Sequence, residues 1–245
     1  MNRYHLLLRR MRLANQLGFR FLGTTHTQLP RNMKLLNRRI ALSYPDDPTL
    51  IGDVINIFLD DEYGIRSIRS PVETVVDVGA NIGLFSLWAR HHFPDATIHA
   101  YEPNDKIWSY AGANLKEANV RLFNEGVSNE DATASLVMRE SSRGVATKRD
   151  AHGNVKLTGI KTVLQRIGGK IDLLKIDCEG AEWDIFLTRS AFRNVRQIRM
   201  EYHLNAGREI ADLQSISSNL GFQITRLVPN RNFGIAWLDN VESPD

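Results

Sequence analysis

Cysteine is almost absent from this sequence, since Cys178 is the only one among 245 residues. The chain therefore cannot form an internal disulfide. It also lacks the thiolates for a cysteine-ligated zinc site or iron–sulfur cluster. Cys178 stands between Asp177 and Glu179, where negative charge disfavours a thiolate. We therefore interpret it as a packing residue.

Long hydrophobic runs are missing as well. No apolar run approaches the ~18 residues that a membrane-spanning helix needs. The N-terminal apolar stretch is interrupted by Arg9, Arg10 and Arg12 and makes a poor signal peptide. We therefore expect a cytoplasmic protein with no transmembrane segment. Residues 4–17 have the spacing of a basic amphipathic helix, for which packing on its own domain is favoured over a role at a membrane surface.

A strong excess of one charge is also missing. The 31 Lys and Arg residues and 28 Asp and Glu residues give a formal net charge of +3, which does not by itself imply nucleic acid. With 42% hydrophobic residues, the chain can bury a substantial core in one main α/β domain plus an extension.

The order of predicted elements indicates the fold. Residues 1–70 are predicted to form a helical, lid-like extension. Residues 71–245 alternate strands and helices, as a doubly wound, Rossmann-like and mostly parallel sheet requires. Two strands at 222–228 and 233–238 are predicted to close this sheet as an antiparallel pair. Residues 139–156 are polar and rich in cations, and the pattern predicts a surface loop.

The most informative segment is VVDVGANIGLFS at residues 75–86. It is typical of a short apolar strand, a glycine turn and the start of a helix, and glycines let the backbone approach a ligand closely. A second apolar strand leads to Glu102, a carboxylate about 20 residues past the turn, placed to accept hydrogen bonds from ribose hydroxyls. The sequence therefore predicts a nucleoside ligand.

The turn itself indicates which nucleoside. A dinucleotide fingerprint reads G-x-G-x-x-G, whereas here Asn81 takes the middle position and Asp77 precedes Gly79 by two residues. An Asp at this point would repel a pyrophosphate but would suit the amino group and sulfonium of S-adenosylmethionine. The D-x-G-x-N-x-G form resembles motif I of class I methyltransferases. A glycine turn without any ligand is the less favoured alternative.

A second chemical cluster is LLKIDCEGAEWDIF at residues 173–186. Strand alternation predicts that Lys175, Asp177 and Glu179 share one face at the carboxyl end of a buried strand, where open α/β sheets bind ligands. The alternative is a Lys175–Asp177 ion pair that only supports the sheet. Glu201 and His203 end the next strand, where the histidine is a candidate base or metal ligand, or simply a strand cap.

Together these segments resemble the FkbM family of S-adenosylmethionine-dependent methyltransferases. The similar elements are D-V-G-A-N-I-G-x-x-S, Y-E-P-N, V-S-N at 127–129, L-L-K-I-D-C-E-G-A-E and E-Y-H at 201–203. The resemblance covers roughly residues 40–205. It departs at Ile160-Lys161-Thr162, where the family often has Ser-Leu-Asp, so no role is assigned there. The family implies O-methylation of sugars, polyketides, peptides or lipid-linked glycans.

The resemblance and the motif positions together predict the residues around S-adenosylmethionine. The methionine part is expected beside the motif I turn, the ribose at Glu102, and the adenine near Asn104 and Ser128. Tyr63, with Glu62, is expected to fold over the crevice and exclude water. The predicted cofactor-binding residues are Tyr63, Asp77, Gly79, Ala80, Asn81, Gly83, Ser86, Glu102, Pro103, Asn104, Ser128 and Asp177.

A hydroxyl acceptor must lose its proton as the methyl group is transferred. We expect Asp177 or His203 to take it, with Lys175 keeping the carboxylate ionised or stabilising an alkoxide. Glu179 and Glu201 are expected to line the same pocket. A divalent cation held by Asp177, Glu201 and His203 is an alternative that we do not expect.

Two other functions are left open by the sequence. One is an RNA or protein methyltransferase, supported by the basic segment 139–156, although interleaved aromatic residues for base stacking are missing there. The other is a nucleoside-binding protein without catalysis. The favoured partner is a small molecule or glycan with a free hydroxyl, with no nucleic acid expected; a homo-oligomer remains open.

Overall fold

The computed structural model describes residues 3–138 and 145–241. Within these ranges no helix combines the length and the hydrophobicity that crossing a bilayer requires. The first part of the chain contains helix α1 (Arg3–Gln16), the hairpin β1 (Asn32–Leu35) and β2 (Arg38–Ala41), helix α2 (Leu50–Val54), a π-helical segment (Ile55–Asp60) and a 3₁₀ turn (Ile65–Ser67).

A seven-stranded sheet forms the centre of the molecule. Its strands, in spatial order, are β12 (Phe222–Asn230), β13 (Phe233–Asn240), β11 (Val195–His203), β10 (Ile171–Ile176), β3 (Thr74–Val78), β4 (Thr97–Tyr101) and β5 (Arg121–Phe123). Strands β3, β4, β5, β10 and β11 run parallel, and β13 runs antiparallel between β11 and β12. The expected doubly wound sheet with an antiparallel closing strand is confirmed. The helices that connect these strands are α3 (Leu84–His92), α4 (Asp105–Leu115), α5 (Ile160–Arg166), α6 (Glu182–Ile185), a 3₁₀ helix (Arg189–Asn194) and α7 (Ile210–Asn219).

A second, four-stranded sheet interrupts this alternation between β5 and α5. It consists of β6 (Gly126–Ser128), β7 (Ala132–Met138), β8 (Val145–Arg149) and β9 (Val155–Gly159). The prediction of a surface loop at 139–156 is therefore wrong for β8 and the start of β9, and residues 139–144 lie outside the described part. The polar composition concealed the strands because they bury only a small cluster, formed by Ala134, Val155 and Leu157.

Helix α1 packs on the domain along one side. Ala14 and Leu17 are buried there, and Arg10 Nε donates to Asp60 Oδ1 at 2.8 Å. This attachment agrees with the favoured expectation for residues 4–17. Another face of the same helix is exposed.

The extension shares a hydrophobic core with the sheet domain. Phe58 is fully buried, with its ring edge against Trp88 of α3 at a centroid distance of 5.3 Å. Tyr63 makes the same kind of contact with Phe85 at 5.3 Å. One continuous cluster thus joins the two parts of the chain, so residue 70 does not separate two cores.

This shared core gives a stability prediction. Phe58→Ala should lower the free energy of unfolding by about 3–5 kcal/mol, because it leaves a cavity beside Trp88. Urea denaturation would measure the loss. Leu22→Ala is the matched control, since Leu22 is 58% exposed and its truncation should change stability by less than about 0.5 kcal/mol. Equal stabilities for the two variants would show that the extension does not contribute to the core.

Candidate functional site

The glycine turn after β3 lies against the end of β10. Gly79, Asn81 and Gly83 have φ values of +74°, +49° and +86°, a region that favours glycine and tolerates asparagine. A Cβ on Gly79 would stand 1.8 Å from the carbonyl oxygen of Asp177. Glycine is therefore required at this position by both conformation and space.

Glu102 connects the turn to the end of β4. Its Oε2 accepts from the Asn81 N–H and its Oε1 from the Asn104 N–H, both at 2.9 Å. Burial raises the pKa of Glu102 to about 7, although these two hydrogen bonds oppose the shift. Each carboxylate oxygen has a second acceptor direction, so the group can still receive two ribose hydroxyls. Its contact with ribose stays a prediction.

The residues expected near adenine have partners within the protein. Asn104 caps α4, its Oδ1 accepting from the Lys106 N–H at 3.1 Å. Ser128 is buried and donates to the Glu130 carbonyl at 2.7 Å. Pro103, half-buried, packs beside Gly126 at the start of β6. The chain after β4 and the strand β6 thus lie together. Both polar side chains form hydrogen bonds within the protein, and their contact with adenine stays a prediction.

The surroundings of Asp77 and Ser86 differ most from those that the sequence predicts. Both are fully buried, and Ser86 Oγ donates to Asp77 Oδ2 at 2.7 Å. The other Asp77 oxygen lies 3.2 Å from Lys175 Nζ. We predicted that both side chains surround the methionine part of the cofactor. The structure corrects this: they lie beneath the turn, and neither has accessible surface for a direct contact.

Lys175 is also buried, and it does not line the floor of a pocket as predicted. Its register places it beside Asp77 on the neighbouring strand, and Nζ donates to the Gly79 carbonyl at 2.6 Å. Burial alone would lower its pKa, but the carboxylates of Asp77 and Asp177 raise it above the ordinary value. The ion pair that supports the sheet, stated above as the alternative, is therefore present, with Asp77 as the nearer partner.

Asp177 lies at the edge of the crevice just after β10, with its side chain 29% exposed. It accepts a hydrogen bond from Tyr63 Oη at 3.1 Å, and Tyr63 itself is buried. Trp237 Nε1 of β13 donates to the Glu62 carbonyl at 2.7 Å. The segment at 62–63 therefore lies over the carboxyl end of β10, and its role as a lid stays a prediction.

His203 is held between carboxylates at the end of β11. Nδ1 lies 2.9 Å from Glu182, while Nε2 lies 3.3 Å from Glu201 and 3.6 Å from Glu179. Burial alone would lower its pKa, but hydrogen bonds to Glu182 and Glu201 raise it to about 10. The ring is thus an imidazolium at neutral pH. Sequence reasoning missed Glu182, whose signal was the last glutamate of KIDCEGAE.

One further acid, Asp53, was missed, and a second, Glu62, was expected only as part of the covering segment. Asp53 of α2 and Glu62 have pKa values raised to about 7 and about 8, first by burial and then by the charges of Asp177 and Glu201. Their signal in the sequence was weak, because both lie in the extension, far from the motifs. With Asp177, Glu179 and Glu201 they line one crevice, and we call these five residues the acidic rim. Because Asp53 and Glu62 are partly or mostly protonated at neutral pH, they add little negative charge there.

Metal coordination has a limited basis here. Across residues 3–138 and 145–241, no group of three or more His, Cys, Asp or Glu side chains is arranged to hold a metal ion. The set considered above, Asp177, Glu201 and His203, includes a histidine whose two ring nitrogens both face carboxylates.

The site as a whole fits a cationic nucleoside. The turn gives close access to the backbone, Glu102 retains acceptor capacity for ribose hydroxyls, and the acidic rim favours positive charge. S-adenosylmethionine combines ribose with a sulfonium and an ammonium group. Its chemistry therefore matches the groups that the protein presents.

Comparison with known proteins agrees with this fit. The methyltransferase FkbM domain matches residues 77–224. AMB antimetabolite synthetase AmbE of Pseudomonas aeruginosa is 31% identical over 221 residues, covering 69% of this chain and 10% of that protein. Methyltransferase sdnD of Sordaria araneosa is 28% identical over 211 residues, covering 69% of this chain and 81% of that protein. The chain thus spans a tenth of one relative's length and most of the other's.

Solved structures give weaker similarities. An rRNA methylase from Streptococcus thermophilus is 9% identical with a TM-score of 0.48, covering 76% of this chain and 96% of that one. A TehB-like SAM-dependent methyltransferase from Corynebacterium glutamicum is 11% identical with a TM-score of 0.43, covering 73% and 86%. Neither similarity bears on the acceptor of this protein.

The acidic rim makes stability depend on pH. Unfolded, Asp53 and Glu62 lose their protons near their ordinary pKa values of 3.8 and 4.5, but the folded protein keeps the protons up to about 7 and 8. At these two groups the folded state therefore binds more protons across this window, and their contribution to stability falls as pH rises. The contribution is full below about pH 4 and is lost as pH passes through 7 to 8.

Denaturation series from pH 5 to 9 would measure this fall. Asp53→Asn/Glu62→Gln should give a flatter profile, because the neutral amides do not titrate. Glu73→Gln, at an exposed position, is the control and should keep the wild-type slope. A double variant with an unchanged slope would show that these two acids are not the source.

Proposed function

The chain belongs to the FkbM methyltransferase family, and we propose that it transfers the methyl group of S-adenosylmethionine to a hydroxyl of a small molecule, sugar or glycan. The observation that carries this proposal is the partly exposed carboxylate of Asp177, set at a strand end between the glycine turn and the covering Tyr63. A carboxylate in this position can take a hydroxyl proton beside the methyl donor.

We assign each part of S-adenosylmethionine to the protein groups whose chemistry fits it. The backbone of residues 79–83 and the carboxylate of Glu102 hold the nucleoside, and the acidic rim attracts the positive charges of the amino acid part. When bound, S-adenosylmethionine supplies an electrophilic methyl group. Lys175 positions the turn indirectly, through the Gly79 carbonyl and the buried Asp77.

Asp177 is a better base than His203. An imidazolium has no free lone pair, and the pKa of His203 is raised to about 10, so this ring cannot accept a proton at neutral pH. We assign His203 to positioning instead: it holds Glu201 and Glu179, and Glu182 fixes its other nitrogen. Tyr63 excludes water from the carboxylate and orients it through the 3.1 Å hydrogen bond.

The charge of the crevice supports an acceptor without phosphates. Besides burial, the negative charge of Asp177 raises the pKa values of Asp53, Glu62 and Glu201. An RNA backbone would have to enter this negative field, whereas RNA-binding sites place cations along the phosphates. A neutral or cationic hydroxyl compound meets no such penalty.

Cofactor binding gives the first test. Glu102→Ala should weaken the binding of S-adenosylhomocysteine by about 1.5–3 kcal/mol, because charge-assisted hydrogen bonds to ribose are lost. Isothermal titration calorimetry measures this. Glu73→Ala, at an exposed position, is the control and should bind like the wild type. If Glu102→Ala binds as tightly, the ribose is held elsewhere, and a preference for NAD over S-adenosylhomocysteine would contradict the assignment.

Methyl transfer gives the second test. Methyl-labelled S-adenosylmethionine should label the small-molecule and glycan fraction of a cell extract, and Asp177→Asn should reduce the rate by about 100-fold. The asparagine keeps the shape of the side chain but accepts no proton at neutral pH. Asp184→Asn, on a partly exposed residue that pairs with Arg149, is the matched control and should keep full activity.

The label also distinguishes the alternatives. If treatment with ribonuclease or protease removes the methyl label, the acceptor is RNA or protein and the proposal is overturned. Tight S-adenosylhomocysteine binding without label in any fraction would indicate a binding protein without catalysis. Full activity of Asp177→Asn would remove Asp177 from the role of base.

A further inference from the structure

Helix α1 exposes an apolar stripe. Tyr4, Leu7, Leu8 and Met11 are exposed to 63%, 40%, 44% and 44%. Their spacing of i, i+3, i+4 and i+7 puts them on one face of the helix. Single exposed hydrophobic residues are common, but four large ones on adjacent turns form a patch of the kind used for binding.

This stripe is not the face by which α1 is attached. The attachment face carries the buried Ala14 and Leu17 and the Arg10–Asp60 ion pair. On a helix of 3.6 residues per turn, these positions point roughly a third of a turn away from the centre of the stripe. The helix can therefore keep its packing on the domain while the stripe contacts something else.

The charge of α1 indicates what that partner is. The helix RYHLLLRRMRLANQ contains four arginines and no acidic residue. Arg3 and Arg12 are exposed and flank the stripe, one on each side, where long cationic side chains can reach past an apolar contact. A second copy of this helix would bring like charges together, whereas a negatively charged surface would be attracted.

We propose that α1 docks the protein on an anionic lipid bilayer. The four apolar side chains enter the region between headgroups and acyl chains, and the flanking arginines contact the lipid phosphates. The Arg10–Asp60 pair links the docked helix to the π-helical segment that leads into the covering residues 62–63.

Vesicle sedimentation of the full chain tests the proposal. Binding should be strong to vesicles of phosphatidylcholine with phosphatidylglycerol and weak to phosphatidylcholine alone. It should also weaken when salt is raised from about 0.1 to 0.5 M. Leu7→Gln/Leu8→Gln/Met11→Gln should reduce binding at least about tenfold, since glutamine keeps the helix but not the apolar stripe.

Two further variants separate the contributions. Arg3→Gln/Arg12→Gln should remove most of the preference for anionic lipid. Leu187→Gln, at a residue outside α1 that is 67% exposed, is the matched control and should bind like the wild type. Thermal unfolding and S-adenosylhomocysteine binding should be unchanged in all variants, because neither the core nor the crevice is altered.

Specific results would overturn the proposal. These are equal binding to both vesicle types, binding that the triple variant keeps, or no binding at all. A concentration-dependent dimer that the triple variant abolishes, with no vesicle binding, would assign the stripe to a second copy. Vesicle binding does not depend on methyl transfer, so either proposal can fail without the other.

Discussion

The buried ion pair of Asp77 and Lys175 is the interaction on which the site depends. It joins β3 to β10, and the same ammonium holds the Gly79 carbonyl of the turn. Removing one charge alone would leave the other buried without compensation, a cost of about 3–5 kcal/mol. The glycine turn, the Asp177 carbonyl packed against it, and the Asp177 side chain are thus fixed relative to one another by one pair of charges.

A second group of charges lies at the end of the neighbouring strand β11. Glu182, fully buried, holds His203 as an imidazolium, and this cation lies beside Glu201 and Glu179. The cationic side chains of Lys175 and His203 are therefore buried. The more accessible charged groups are the carboxylates of Asp177, Glu179 and Glu201. The accessible side of the crevice is left acidic, which is the charge that a sulfonium ligand favours and a phosphate backbone does not.

The extension completes the crevice and belongs to the same core. Phe58 and Tyr63 pack on α3, so the covering segment is held by hydrophobic burial and not only by polar contacts with the site. Helix α1 is attached to this segment through Asp60. A partner bound to the exposed stripe of α1 would therefore contact a helix that is linked, through Asp60, to the segment just before the residues that cover Asp177.

The sequence by itself determined the doubly wound sheet, the glycine turn and the carboxyl ends at which Glu102, Asp177 and His203 stand, because periodicity and turn chemistry are local properties. Tertiary structure decided the rest. Whether Asp77 and Lys175 face a ligand or each other depends on strand register, and the ionisation of His203 depends on a glutamate 21 residues away. The strands β8 and β9, the role of Asp53 and the raised pKa of Glu62 were likewise invisible. Their partners lie far along the chain, and pairing, burial and electrostatic potential arise only when distant segments meet.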